Sequence, residues 1–167
     1  MQETDFLDCI DAYLPLFVEN TDVNNIERSW VEKTVKHNWP GCHDALHKLG
    51  HLLPDLTPKE LRKSTSGTCA YGLLMGYIER DMTNLSTNQI TSLNNRYCLP
   101  ELDKKIRFAD QCTHVIGHLY YFQTNKNEEL ALKLCNALKY HSSQCATGVF
   151  MRHFENRSSN AAITPNP

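Results

Sequence analysis

Apolar positions recur at helical spacing through most of this chain. Residues 3 to 19 place Phe6, Ile10, Tyr13, Leu14 and Phe17 on one side of a helix, with acidic residues opposite and a kink expected near Pro15. Asp22 is placed to cap a second helix running to about residue 37, with Ile26, Trp30, Val31 and Val35 as its apolar stripe. Pro40-Gly41 then breaks the chain before a third helix at about 42 to 53. Thr57-Pro58-Lys59-Glu60 is a strong helix start, with Thr at the N-cap, Pro at the first helical position and Glu at the third. The segment around Cys69 predicts another helix to about residue 80. The polar stretch 81 to 97 has enough periodicity at Ile90 and Leu93 for a modest helix. Pro100 can open a helix that ends near Gln123, and Thr124 to Glu128 supplies a turn and cap before Leu130, Leu132, Leu134 and Leu138. A last helix is predicted at about 142 to 155, with residues 157 to 167 as a frayed tail. No segment alternates at period two for long enough to demand a sheet, so the expected fold is all α: helical hairpins forming a small bundle or short solenoid.

Two motifs within this pattern are written twice. His47-Lys-Leu-Gly50-His51 matches His114-Val-Ile-Gly117-His118, and the segment Cys69 to Glu79 matches Cys145 to Glu155 at Cys, Ala, Gly, Met and Glu. The histidine motifs lie 67 residues apart and the Cys/Gly/Met motifs 76 apart. Such self-similarity predicts an internal duplication, with pseudo-repeats at about 42–80 and 109–156 inside a single domain spanning 1–156.

Composition narrows the classes of function. The 167 residues fit one domain with a sizeable core. Basic and acidic residues, 17 against 19, are nearly balanced and form no long run, which argues against a nucleic-acid partner. No apolar stretch approaches the ~18 to 20 residues of a transmembrane helix. HExxH, the nucleophile-elbow pattern and a phosphate loop are all missing, so nothing requires catalysis.

The chemistry therefore rests on histidine and cysteine. Histidines four apart share one helix face, and imidazole suits copper, zinc, nickel or iron. His47, His51, His114 and His118 are the candidate ligands for a copper or zinc ion. The competing expectation is that these histidines, and the glycine inside each motif, are helix-packing residues of a metal-free protein-interaction module. Because a mid-helix Gly costs about 1 kcal/mol relative to Ala, something is expected to approach Gly50 and Gly117 closely. Candidate helpers are Met75 and Met151, whose thioethers would favour Cu(I), Glu79 and Glu155 as acceptors for imidazole N–H groups, and His43, which is read chiefly as a surface residue. A third reading is a metal-dependent oxidase or hydrolase with Glu79 or Glu155 as general base.

Seven cysteines without a CxxC pair point to disulfides and an oxidising compartment; buried free thiols in a cytosolic protein are the alternative. Cys135 with Cys145, Cys98 with Cys112, and Cys42 with Cys69 form one plausible set, out of the fifteen pairings that six cysteines allow. Cys9 is then the odd thiol. The start Met-Gln-Glu-Thr-Asp carries no signal peptide and is read as a mature segment with an added initiator Met. Two glycosylation sequons, at Asn84 and Asn156, are short enough to carry little weight.

The stretches Cys42 to His51, Cys69 to Glu79, Cys112 to His118 and Cys135 to Glu155, about half the chain, resemble an uncharacterised group of cysteine- and histidine-rich helical domains of bacterial exported or membrane-anchored proteins. The CxxGVFM ending is the most specific part, while Met75 stands where that group carries a His. The resemblance implies a disulfide-stabilised helical fold and an extracytoplasmic address, periplasmic or secreted. It implies no activity.

Overall fold

A computed structural model describes residues 12–34, 41–80, 84–99 and 106–161, the side chains of Thr34 and of residues 155–161 excepted. The described residues are helical and contain no strand. They divide after Arg80 into two compact units.

In the first unit, residues 12–19 form α1, which buries Leu14 and Phe17. Asp22 accepts the Asn24 N–H and so caps a short 3-10 turn, Val23–Asn25, that leads into α2, Ile26–Thr34. Ile26 and Trp30 of the expected stripe are buried, and Trp30 meets Phe17 edge-on with ring centroids 5.1 Å apart. Val35 and the expected end of this helix lie outside the described residues, as do Phe6 and Ile10. The histidine helix α3 spans Cys42–His51, stopping about two residues short of expectation. The reciprocal cap at Thr57 and Glu60 opens α4, Pro58–Ser64, as its sequence predicts.

Cys69 is not helical in the expected sense. Cys69, Ala70 and Tyr71 have φ of 53°, 52° and 60°, a left-handed turn of three non-glycine residues. Such a conformation costs of order 1–3 kcal/mol per residue and persists only where its surroundings hold it. Here they do: Cys69 is bonded to Cys42, its carbonyl accepts a hydrogen bond from His43, and Glu27 of α2 binds the preceding loop at Ser66. The helix proper, α5, begins at Gly72, runs to Glu79 and is buried throughout. It lies along α3 as the core pair of this unit.

In the second unit, Ser86 and Gln89 cap each other's backbone at the start of α6, Thr87–Leu93. A π-helical turn, Asn94–Cys98, follows. Residues 100–105 lie outside the described set, so the expected opening at Pro100 does too. α7, Ile106–Gln123, is the central helix and buries one long face from Phe108 to Tyr121. Asn127 caps α8, Glu128–Asn136. The last helix, α9, spans Ser142–Ala161, so helix replaces the expected frayed tail as far as residue 161. α7 packs chiefly against α9, with α8 across both.

Three disulfides form, Cys42–Cys69, Cys98–Cys112 and Cys135–Cys145. Cys9 lies outside the described residues. No helix among the described residues is long and apolar enough to cross a membrane.

Candidate functional site

The glycine inside each histidine motif answers to a neighbouring helix. A Cβ at Gly50 would overlap the α5 backbone at Leu73 O, with Tyr77 N 2.6 Å away. One at Gly117 would overlap Cys145 O of α9, with Val149 N at 3.0 Å. The contact is reciprocal, since Gly76 abuts His47 O and Gly148 abuts His114 O. Both units thus contain a helix pair whose backbones touch through small residues.

The register of that contact differs between the units. Matching Gly76 with Gly148 relates the second helices by 72 residues, one helical turn away from the 76 of the sequence match. The disulfides differ as well: Cys42–Cys69 joins the histidine helix to the turn before its partner, whereas Cys145 bonds back to α8. The twice-written motif therefore does not sit in one structural register.

On α3, His43, His47 and His51 form the expected stripe, with successive ring centroids 6.3 and 5.0 Å apart. His43 is not a plain surface residue, because its Nδ1 donates to the Cys69 carbonyl at 3.0 Å. His47 Nε2 lies 3.0 Å from Oε2 of Glu79, whose side chain is 1% exposed. Glu79 is thus placed to accept from His47, as a carboxylate that orients an imidazole does. His51 is exposed.

On α7, His114 and His118 are closer. Their Nε2 atoms are 3.0 Å apart, and His118 is fully buried. His114 Nδ1 lies 2.9 Å from Thr147 Oγ1, which itself donates to the Gln144 carbonyl at 2.7 Å. A hydroxyl has one proton. With that proton on Gln144 O, Thr147 must accept from His114 Nδ1–H, which leaves Nε2 of His114 as a lone pair. His118 then supplies the Nε2–H between the rings. In this arrangement the Gln144 carbonyl, Thr147, His114 and His118 form one hydrogen-bonded chain between α9 and α7.

The candidate helpers separate. Met75 is buried in the first unit and fills its core, while Met151 lies on α9, 37% exposed. The side chain of Glu155 lies outside the described residues. His47 and His51 belong to the first unit, His114 and His118 to the second. Among the described residues no group of three or more His, Cys, Asp or Glu side chains is gathered to hold a metal ion. Each unit instead offers a donor pair: nitrogen and carboxylate oxygen at His47 and Glu79, two nitrogens at His114 and His118.

Sequence reasoning missed Thr147, which stands 33 residues from its histidine. The signal was present, since Thr147 precedes the Gly148 that packs on His114 O, but it becomes readable only once the helix pairing is known. It also missed the contacts of His141 Nδ1 with Asp110 Oδ1, at 2.7 Å, and of His153 Nδ1 with Glu128 Oε2, at 3.1 Å. These tie α7 to the turn before α9, and α8 to α9, and account for two histidines that stand alone in the sequence. Comparison with family models, curated proteins and solved structures gave no match.

Proposed function

We propose that this protein is an extracytoplasmic helical module, periplasmic or secreted, that takes up transition-metal ions, copper or zinc, through its paired histidines, His47 and His51 in the first unit and His114 and His118 in the second. The observation that carries the reading is the approach of the His114 and His118 Nε2 atoms to 3.0 Å, with the outer ring oriented by Thr147. Two imidazole nitrogens this close on one helix suit a borderline-soft ion that displaces the proton between them. Three disulfides favour the address, because such bonds persist in oxidising compartments. The same address is what resemblance to exported cysteine- and histidine-rich domains would imply.

A second reading has its own support. The motif glycines are met by helix backbone, and Phe150, Met151 and Phe154 stand exposed on α9. That pattern suits a metal-free module that binds another protein, with the histidines as packing residues.

Elemental analysis decides between them. Protein purified without a histidine tag and reconstituted with copper or zinc should retain stoichiometric ion after gel filtration, and the double variant His47→Ala plus His114→Ala should lose it. Wild-type protein that retains only sub-stoichiometric metal overturns the first reading in favour of the second.

A further inference from the structure

We infer that Cys42–Cys69 is a thiol-exchange site: of the three disulfides it is the one that a dithiol reductant opens, and its opening releases the left-handed turn that leads into α5. Access distinguishes it first. Cys98, Cys112, Cys135 and Cys145 are fully buried, whereas Cys42 and Cys69 both keep solvent-accessible surface, and Cys69 lies between the exposed residues Thr68 and Ala70. A thiolate must reach a sulfur to displace its partner, so access sets the rate of exchange alongside the chemistry of the thiols. The two bonds of the second unit are closed to that attack until their helices open.

Backbone conformation favours the opened form. Cys69, Ala70 and Tyr71 hold φ of 53°, 52° and 60° with no glycine among them. Residues in that region persist only while their surroundings over-determine them. The bond to Cys42 is the covalent hold on the turn; the others are hydrogen bonds, from His43 Nδ1 to the Cys69 carbonyl at 3.0 Å and from Ser66 to Glu27. Opening the bond lets the three residues return to right-handed φ, which takes the Cys69 carbonyl from His43 and lifts the Tyr71 ring off Gly67, against which it lies. A disulfide that is exposed and whose closed form holds strained backbone is the more readily reduced.

The polarity of the exchange follows from α3. Cys42 is the first residue of that helix of 10 residues, where the dipole and the unpaired N–H groups favour a thiolate. The sulfur of lower pKa is the better leaving group. A reductant thiolate therefore attacks Sγ of Cys69, a new S–S bond forms there, and Sγ of Cys42 departs with the electron pair of the old bond. The reductant's second thiolate then attacks its own sulfur in the mixed disulfide and releases Cys69 as a thiolate. Two electrons pass from the dithiol to the protein, the dithiol becomes a disulfide, and its two protons pass through solvent to the released cysteines.

The test uses the full-length oxidised chain with any free thiol alkylated beforehand. Dithiothreitol is added, samples are quenched over time with a second alkylating reagent, and the labelled cysteines are assigned by peptide mass. Cys42 and Cys69 should be labelled together, roughly tenfold or more faster than any cysteine of the other two bonds. Treatment with the monothiol glutathione and a rapid acid quench should trap the mixed disulfide on Cys69. Hydrogen exchange, measured when this bond alone is open, should rise roughly tenfold or more in residues 65–72 and stay unchanged in α7, α8 and α9. Cys42→Ser plus Cys69→Ser, shown to be folded by circular dichroism and by the mass of its remaining disulfides, should exchange as fast there without reductant. A Cys98–Cys112 or Cys135–Cys145 bond that opens first, or three bonds that open at one rate, overturns the inference. So does exchange at 65–72 that is unchanged in the singly opened chain. Glutathione trapped on Cys42 overturns the assignment of the leaving sulfur.

Discussion

Glu27 is 0% exposed, yet its carboxylate accepts the N–H and O–H of Ser66 at 2.6 and 2.9 Å. Through Ser66 it holds the loop that feeds the left-handed turn at Cys69. Burial pushes its carboxyl pKa above the ordinary range, and the loop donors pull part of that back. The sign follows from linkage. A raised folded-state pKa gives stability that is complete below the ordinary carboxylate value and is lost as pH rises through the raised one. Urea unfolding of wild type and Glu27→Gln should therefore show a wild-type advantage that is larger near about pH 4 than near about pH 7; a difference independent of pH would mean that Glu27 is not perturbed as its burial dictates. Glu27→Ala, which strands the N–H and O–H of Ser66, should cost at least about 1–3 kcal/mol at either pH.

At the scale of elements, the glycines of the histidine motifs separate local preference from tertiary packing. Alanine in place of a mid-helix glycine ordinarily gains about 1 kcal/mol. At Gly50 and Gly117 the added methyl would run into the backbone of α5 or α9, which cannot yield as a flexible side chain does. Gly50→Ala and Gly117→Ala should each lower stability by about 1–3 kcal/mol net, the cost of overpacking a tight contact, and thermal unfolding followed by circular dichroism measures it. A melting point that is unchanged or raised would show that the helices do not touch as described. These contacts mark the limit of what the sequence reveals. Helix starts governed by local chemistry were legible: the Thr57–Glu60 box forms, the cap expected within Thr124 to Glu128 is made by Asn127, and Asp22 caps the 3-10 turn that leads into α2. So was the need for something to lie close to Gly50 and Gly117. The left-handed turn at Cys69 to Tyr71 was not legible, because the disulfide, His43 and Glu27 that hold it come from 26 or more residues away. Nor was the one-turn difference in register between the two glycine contacts. Identical motif residues predict the same neighbours only if the flanking connections are also the same, and the disulfides here make them different.

At the scale of the molecule, every disulfide closes within one unit: Cys42–Cys69 before Arg80, Cys98–Cys112 and Cys135–Cys145 after it. The sequence separations are short, 27, 14 and 10 residues, so each bond removes modest chain entropy, roughly 2–4 kcal/mol. For a unit of this size that is a large share of stability, since small cores bury too little surface to fold with much margin. The second unit holds two of the three bonds as well as the α7, α8 and α9 core and the His114–His118 pair. Residues 81–167, produced alone under oxidising conditions, should therefore fold, show two intramolecular disulfides by mass, and unfold cooperatively in urea. Reduction should shift its midpoint down by an amount worth about 4–8 kcal/mol if the two bonds act independently, enough to unfold most domains of this size. A fragment that stays unstructured while oxidised would mean that its stability depends on the residues before 81, and the division after Arg80 would then be one of contacts only. A fragment whose midpoint ignores reduction would show that the helices, rather than the disulfides, carry its stability.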